Sequence, residues 1–343
     1  MLDDLKYIHQ KDGQDALGIA AKQWEQLEYD FNITQSTKVD GIDNIVFVGM
    51  GGSALAALLS TTWPSYDRPF EIVRGYDLPD YVESSTLVII SSYSGNTEET
   101  LAAYEQAVKA GARIAVITSG GTLLKTATHA GHLVAQLPAG LQPRYATLYS
   151  YKALASILDS LGITSDAAAE LSAAATNLQT ATKAWQPDVA VKKNQAKQIA
   201  LDVVGKAPVV YAGPLLYPAA YKWKISFNEN AKNVAWCNQL PEFNHNEFLG
   251  WSHHPIDKPY AVIDLCSSLE HERIQKRFVI TAKLLSGKRP HPITVTAEGV
   301  DILNQLLWTV VLGDFVSLYL ALLNGLNPTP VDLIEKLKQE LAA

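Results

Sequence analysis

The first half of the chain alternates short β-branched runs with helix-forming segments, and few folds can satisfy that alternation. Asn44–Val48, Phe70–Val73, Leu87–Ile90, Arg113–Thr118 and His132–Ala135 have the length and composition of strands. Between them, Ser53–Thr61, Glu98–Ala110 and Leu123–Ala130 read as helices, and Gly111 and Gly131 stand where helix C-caps belong. Alternation of this kind predicts a parallel sheet covered on both faces, a doubly wound α/β domain.

The pattern then breaks and resumes. Tyr151–Ala200 is rich in Ala, Leu, Lys and Gln and predicts helix, whereas strand signals return at Val209–Ala212, Val234–Cys237, Ala261–Leu265 and Ile293–Thr296. With 343 residues, two domains with separate cores are expected. The expected boundaries are 1–150 for an N-terminal domain, 151–200 for a helical linker and 201–343 for a C-terminal domain of the same architecture.

Bulk properties exclude several classes. A chain that is 48% hydrophobic and 18% charged suits a buried globular enzyme rather than a disordered protein. A formal net charge of −7 argues against a nucleic-acid partner, but not against a small anion held by local geometry. Cys237 and Cys266 fall in expected strands and read as free thiols in a reducing compartment. The opening MLDDLKYIHQ lacks the profile of a signal peptide. Ile302–Leu323 is long and mostly apolar, yet it contains Asn304, Gln305, Asp314 and Ser317, so it reads as a core helix rather than a membrane span. A cytoplasmic enzyme with neither membrane nor nucleic-acid partners is the expectation.

Two loops carry the clearest chemistry. Gly49-Met50-Gly51-Gly52-Ser53 follows the first strand and opens onto a helix, where glycines admit an anion to backbone N–H groups and the helix dipole favours negative charge. Ser91-Ser92-Tyr93-Ser94-Gly95-Asn96-Thr97 follows the third strand and also opens onto a helix, with Ser92, Ser94 and Thr97 as hydroxyl donors. Both loops lie at carboxyl ends of parallel strands, where open α/β sheets bind ligands. Gly49-x-Gly51-x-x-Ala54 also fits the dinucleotide fingerprint. That reading leaves the second loop unexplained and finds no acidic residue at the end of the second strand, where Arg74 follows Val73. No GxxxxGK[ST] segment occurs either, so the pair reads as a monophosphate cradle.

GMGGS followed by SYSGNTEET resembles the phosphate loops of SIS-domain proteins. With FNENAK at 227–232, PEFNHNE at 241–247 and the closing GDFVSLYLALLNGLNPTPV, the chain resembles the bifunctional phosphoglucose/phosphomannose isomerase family of archaea and bacteria. The resemblance spans nearly the whole chain. It implies two SIS-type domains and a homodimer that interconverts glucose 6-phosphate, and often mannose 6-phosphate, with fructose 6-phosphate through a cis-enediol without metal or cofactor. It places phosphate binding on Gly51, Gly52, Ser53, Ser92, Ser94 and Thr97. It assigns Arg144 to the reacting carbons, Glu229 to proton transfer and His245, from the neighbouring subunit, to ring opening. A C-terminal lysine completes the implied set; Lys338 fits best after NPTPV, with Lys336 as the alternative.

The residue types suit those roles on chemical grounds. Aldose–ketose isomerisation needs one base to move a proton between adjacent carbons, and a partly buried carboxylate serves if its pKa rises toward neutrality. The flanking amides of FNEN differ from the basic neighbours of a solvated salt-bridge face. A fixed guanidinium can stabilise both oxygens of an enediolate, and a histidine suits a ring oxygen that must be protonated near neutral pH. Each residue type also has an ordinary surface role. His245, Glu247, His253 and His254 invite a zinc reading, but no HExxH or comparable spacing appears. The competing functions are a SIS-domain sugar-phosphate-binding regulator and an isomerase of another sugar phosphate.

Overall fold

The structure, a computed structural model, describes residues 1–33, 40–64, 66–253 and 259–341. By packing it divides into two units: Lys22–Asn177, and Met1–Ala21 together with Leu178–Ala343. Helices α1 (Leu5–Lys11), α2 (Ala16–Ala21) and α3 (Gln23–Glu28) open the chain, the first two in the unit that contains the C-terminus.

The Lys22–Asn177 unit is built on β1 (Asn44–Gly49), β2 (Phe70–Val73), β3 (Thr86–Ser91), β4 (Arg113–Thr118) and β5 (Leu133–Gln136). They form one parallel sheet in the order β2-β1-β3-β4-β5, a doubly wound topology. The connections are α4 (Leu55–Ser60), entered through a 3-10 turn at Gly51–Ala54, then α5 (Glu98–Lys109) and α6 (Gly121–His129). The glycines expected at helix ends do that work. Gly111 and Gly131 take left-handed φ of 67° and 73°, and the next residues, Ala112 and His132, donate N–H groups back to the carbonyls of Ala107 and Ala127. β3 is buried along its whole length, as a central parallel strand covered on both faces must be. Its register with β1 pairs Gly49 with Ser91, so the two loops that follow leave the sheet side by side.

The helical stretch after β5 serves both units. α7 (Thr147–Ser160) packs on α4 and the β4–β5 edge, α8 (Ala167–Thr182) crosses the boundary between units, and α9 (Gln195–Val203) packs on the long helix of the second unit.

That second unit contains β6 (Ala207–Ala212), α10 (Tyr217–Glu229), β7 (Trp236–Gln239), α11 (Glu247–Gly250), β8 (Tyr260–Cys266), α12 (Glu272–Leu284), β9 (Ile293–Thr296), α13 (Ile302–Leu323) and α14 (Asp332–Leu341). Its parallel sheet runs β7-β6-β8-β9 and repeats the central order of the first sheet. β7 starts two residues later than its composition suggests. Asn233 N–H closes the end of α10 on Phe227 O, and Val234 is left exposed before the strand begins. Cys237 and Cys266 are free thiols on β7 and β8, and burial pushes them up to about 11 and about 12.

α13 is long and apolar enough to cross a membrane, but it is sheathed by α2, α9 and α10 inside its unit. Its polar residues have partners there. Gln305 accepts from Ser267 Oγ (2.6 Å), Asp314 accepts from Lys222 Nζ and from Ser226 Oγ (2.8 Å), and Ser317 Oγ accepts from Asn230 Nδ2 (2.9 Å). A buried charge is tolerated only when paired and hydrogen-bonded. The Lys222–Asp314 pair meets that condition and fixes the register of α10 against α13.

Candidate active site

The two loops of the Lys22–Asn177 unit form a cradle whose hydroxyls are organised from within. Ser53 Oγ accepts the Tyr93 N–H at 3.1 Å, joining the first loop to the second and leaving the hydroxyl proton to donate outward. Ser92 Oγ accepts the Gly95 N–H at 3.1 Å and lies 2.8 Å from Thr97 Oγ1. One proton serves that hydroxyl pair, so the other can reach an external oxygen. Thr97 occupies the N-cap position of α5 without bonding a helix N–H through its side chain, and its hydroxyl instead faces Ser92. Ser94 and Gly51 are exposed at the rim, whereas Gly52, Ser53 and Ser92 are buried. Gly51 has φ of 50°, a left-handed conformation suited to glycine.

The second loop is seated on the turn after β4. A Cβ on Gly95, at φ of 69°, would stand 1.8 Å from Gly120 O, so no other residue fits. Asn96 Oδ1 accepts the Thr122 N–H at 2.9 Å and caps α6. Tyr93 completes the frame, donating its phenol to Pro138 O (2.8 Å) and accepting the Leu141 N–H (2.9 Å). Burial raises the pKa of that phenol and keeps it a donor. Sequence reading missed Asn96 and Tyr93 as organisers, because their partners lie on other loops.

Arg144 is brought against this cradle. It sits on the 3-10 turn Pro143–Tyr145, and a Cβ on Gly52 would come within 2.9 Å of Arg144 N and 3.0 Å of Pro143 C. The arginine is buried, with Nη2 donating to Tyr145 Oη at 3.3 Å and the guanidinium 4.5 Å from the centre of the Tyr145 ring. A guanidinium withdrawn from water strongly favours an anion that can reach it.

Glu229, His245 and Lys338 belong to the other unit. Glu229 is the last residue of α10 and is half-buried. His245 ends the 3-10 turn Glu242–His245 and is exposed. The turn is anchored beneath by Phe243, whose ring centre is 4.5 Å from that of Tyr211 on β6. On the following helix, Glu247 accepts from Tyr211 Oη and from Asn238 Nδ2 at 2.6 Å, which pins the chain two residues beyond the histidine. Lys338 is exposed on α14 and pairs with Glu335 at 2.8 Å; Lys336 is exposed on the same helix. Among the described residues, no group of three or more His, Cys, Asp or Glu side chains could hold a metal ion, and His254 lies outside them.

Comparison with known proteins covers both units. Residues 41–163 match the model of the SIS domain, and residues 192–341 match that of the bacterial phospho-glucose isomerase C-terminal SIS domain. The bifunctional phosphoglucose/phosphomannose isomerase of Aquifex aeolicus is 36% identical over 322 residues, 93% of this chain and 94% of that protein. The protein of the same name from Caldicellulosiruptor bescii is 37% identical over 315 residues, 91% and 93% of the two chains. A crystal structure of a glucose-6-phosphate isomerase like protein from Thermus thermophilus superposes with a TM-score of 0.68 over 98% of both chains, at 19% identity.

Proposed function

The chain belongs to the bifunctional phosphoglucose/phosphomannose isomerase family, and we propose that it interconverts glucose 6-phosphate and mannose 6-phosphate with fructose 6-phosphate through a cis-enediol, without a metal ion. The observation that carries this reading is the seating of Gly52 against the Arg144 turn. It joins the loop suited to a monophosphate to the turn that carries Arg144. This supports a reading in which one group holds the phosphate and a guanidinium answers an enediolate oxyanion.

In this mechanism the 6-phosphate is held by Gly51, Gly52, Ser53, Ser92, Ser94 and Thr97 through backbone N–H groups and outward hydroxyl protons. His245, contributed by the neighbouring subunit of a homodimer, protonates the ring oxygen as the C1 hydroxyl gives up its proton. The bond from C1 to the ring oxygen breaks and the open-chain aldehyde forms. The Glu229 carboxylate removes the proton on the second carbon, and the electron pair moves into the C1–C2 bond as the C1 carbonyl oxygen gains charge. Arg144 stabilises that charge. The proton of the C2 hydroxyl passes to the charged oxygen on C1, and Glu229 returns its proton to the first carbon. This leaves the hydroxyl on C1 and the ketone on the second carbon. Lys338 adds a positive charge from α14. Proton transfer by Glu229 and His245, with Arg144 and Lys338 supplying positive charge, accounts for the steps without a Lewis acid. A cytoplasmic location, where hexose phosphates arise, fits this reading.

The test is a coupled assay of the purified protein on both hexose 6-phosphates, with and without EDTA, beside Glu229→Gln. Glutamine keeps the shape of the side chain but not its basicity. kcat is expected to fall by about 10²-fold or more, with KM largely retained and deuterium exchange at the second carbon falling in parallel. A glutamine variant that exchanges and isomerises at the wild-type rate removes Glu229 as the base. Loss of activity in EDTA that zinc restores removes the metal-free mechanism. Binding of hexose 6-phosphate without turnover would favour a regulator instead.

A further inference from the structure

Lys232 closes the FNENAK segment, and its ammonium reaches four backbone carbonyls. Nζ donates to Glu229 O at 2.8 Å and Pro328 O at 2.9 Å, with Asn230 O and Asn327 O at 3.4 Å. Two of these oxygens belong to the C-terminal end of α10 and two to the segment that leads from α13 into α14. To make these contacts, Lys232 adopts a left-handed φ of 52°, a conformation that an unbranched L side chain takes only when its surroundings compensate.

We propose that Lys232 is a positioning residue for the isomerisation: its ammonium clamps the end of α10, and with it Glu229, to the Asn327–Pro328 segment. The inference rests on Glu229 being the base.

The last carbonyls of a helix have no partner within it and carry its negative dipole end, so a helix terminus frays unless something binds them. Here the terminal residue is Glu229 itself. α10 is already fixed along its inner face by Lys222 and Ser226 on Asp314 and by Asn230 on Ser317. Lys232 adds a constraint from outside by reaching across to the Asn327–Pro328 carbonyls. The neighbouring strap is anchored in turn: Asn327 Nδ2 donates to Gln14 Oε1 at 2.8 Å, and its Oδ1 accepts the Thr329 N–H at 3.1 Å. The exposure of Lys232 argues against a packing role, since an exposed side chain contributes little burial.

The test compares Lys232→Gly, Lys232→Arg and Glu229→Gln in the full-length protein. Glycine relaxes the left-handed backbone, so the fold is retained while the ammonium is lost. Lys232→Gly is expected to lower kcat on fructose 6-phosphate about ten- to a hundredfold, the range for a misplaced catalytic group, with KM within about twofold. Deuterium exchange at the second carbon should fall with kcat, and Lys232→Arg, whose donors can still reach the carbonyls, should recover most of the rate. Should the glycine chain fail to fold, Lys232→Met, which keeps an unbranched chain but has no donor, gives the same readout. Wild-type kcat in a folded Lys232→Gly protein, beside an inactive Glu229→Gln, overturns the clamp alone. A rise in KM that accounts for the whole loss also overturns it, because Lys232 would then bind substrate. An active Glu229→Gln overturns the base assignment whatever Lys232 does.

Discussion

Gly52 and the backbone of Arg144 are in contact so close that a single methyl group between them would stand 2.9 Å from the arginine nitrogen. The glycine is therefore fixed by what it touches, and the phosphate loop and the arginine turn form one piece. Gly52→Ala should displace the turn, because the obstructing atoms are backbone and cannot rotate away. Overpacking of this kind costs about 1–3 kcal/mol. The expected result is a lower melting temperature together with a lower kcat. An alanine variant with wild-type stability and rate would mean that the turn yields freely.

Ser53 and Thr97 are hydroxyls from the two different loops of the cradle. Ser53→Ala combined with Thr97→Ala should act mainly on KM, since a hydrogen bond to a charged group is worth about 1.5–3 kcal/mol, a rise of about tenfold or more. KM for fructose 6-phosphate is the measurement, and an unchanged value would remove these loops from the substrate site.

His245 is exposed on its own chain, as a residue offered to a neighbour would be. If the neighbour's site uses it, mixing His245→Ala with Glu229→Gln protomers creates heterodimers with one intact site. Random exchange should then restore about a quarter of wild-type activity from two inactive proteins. No recovery after verified subunit exchange would place both residues in one chain's site.

Asp264 gives the stability a pH dependence of its own. It is buried on β8, and desolvation pushes its carboxyl up to about 6 against the attraction of Arg289, 3.7 Å away, and of His291. A pKa raised above the ordinary 3.8 means the fold holds this proton more tightly than the unfolded chain does. The stability it contributes is therefore complete below about pH 4 and is lost as pH rises through about 6, up to roughly 3 kcal/mol. Asp264→Asn cannot titrate. Its urea-unfolding free energy minus that of the wild type should climb between pH 4 and 6.5, whatever the offset from disturbing Arg289. A difference that stays level over that range would show that Asp264 does not titrate there.

The sequence alone determined the two parallel sheets, the helices between their strands and the position of both cradle loops. Those features are encoded locally: β-branched runs, helical periodicity, glycines at helix ends, and hydroxyls placed just after a strand. Ile302–Leu323 was legible as a core helix from its four polar residues, but only the fold supplied partners such as Lys222 for Asp314 and Asn230 for Ser317. The same holds for the site. Gly52 and Ser53 could be read as an anion loop, yet their contacts with the Arg144 turn and with Tyr93 follow from how the chain folds back at the sheet's carboxyl edge. Asn96 as the cap of α6 and Lys232 as the clamp on α10 left no mark in the sequence, because an asparagine or a lysine acquires such a role only from the carbonyl or N–H group that tertiary packing sets beside it.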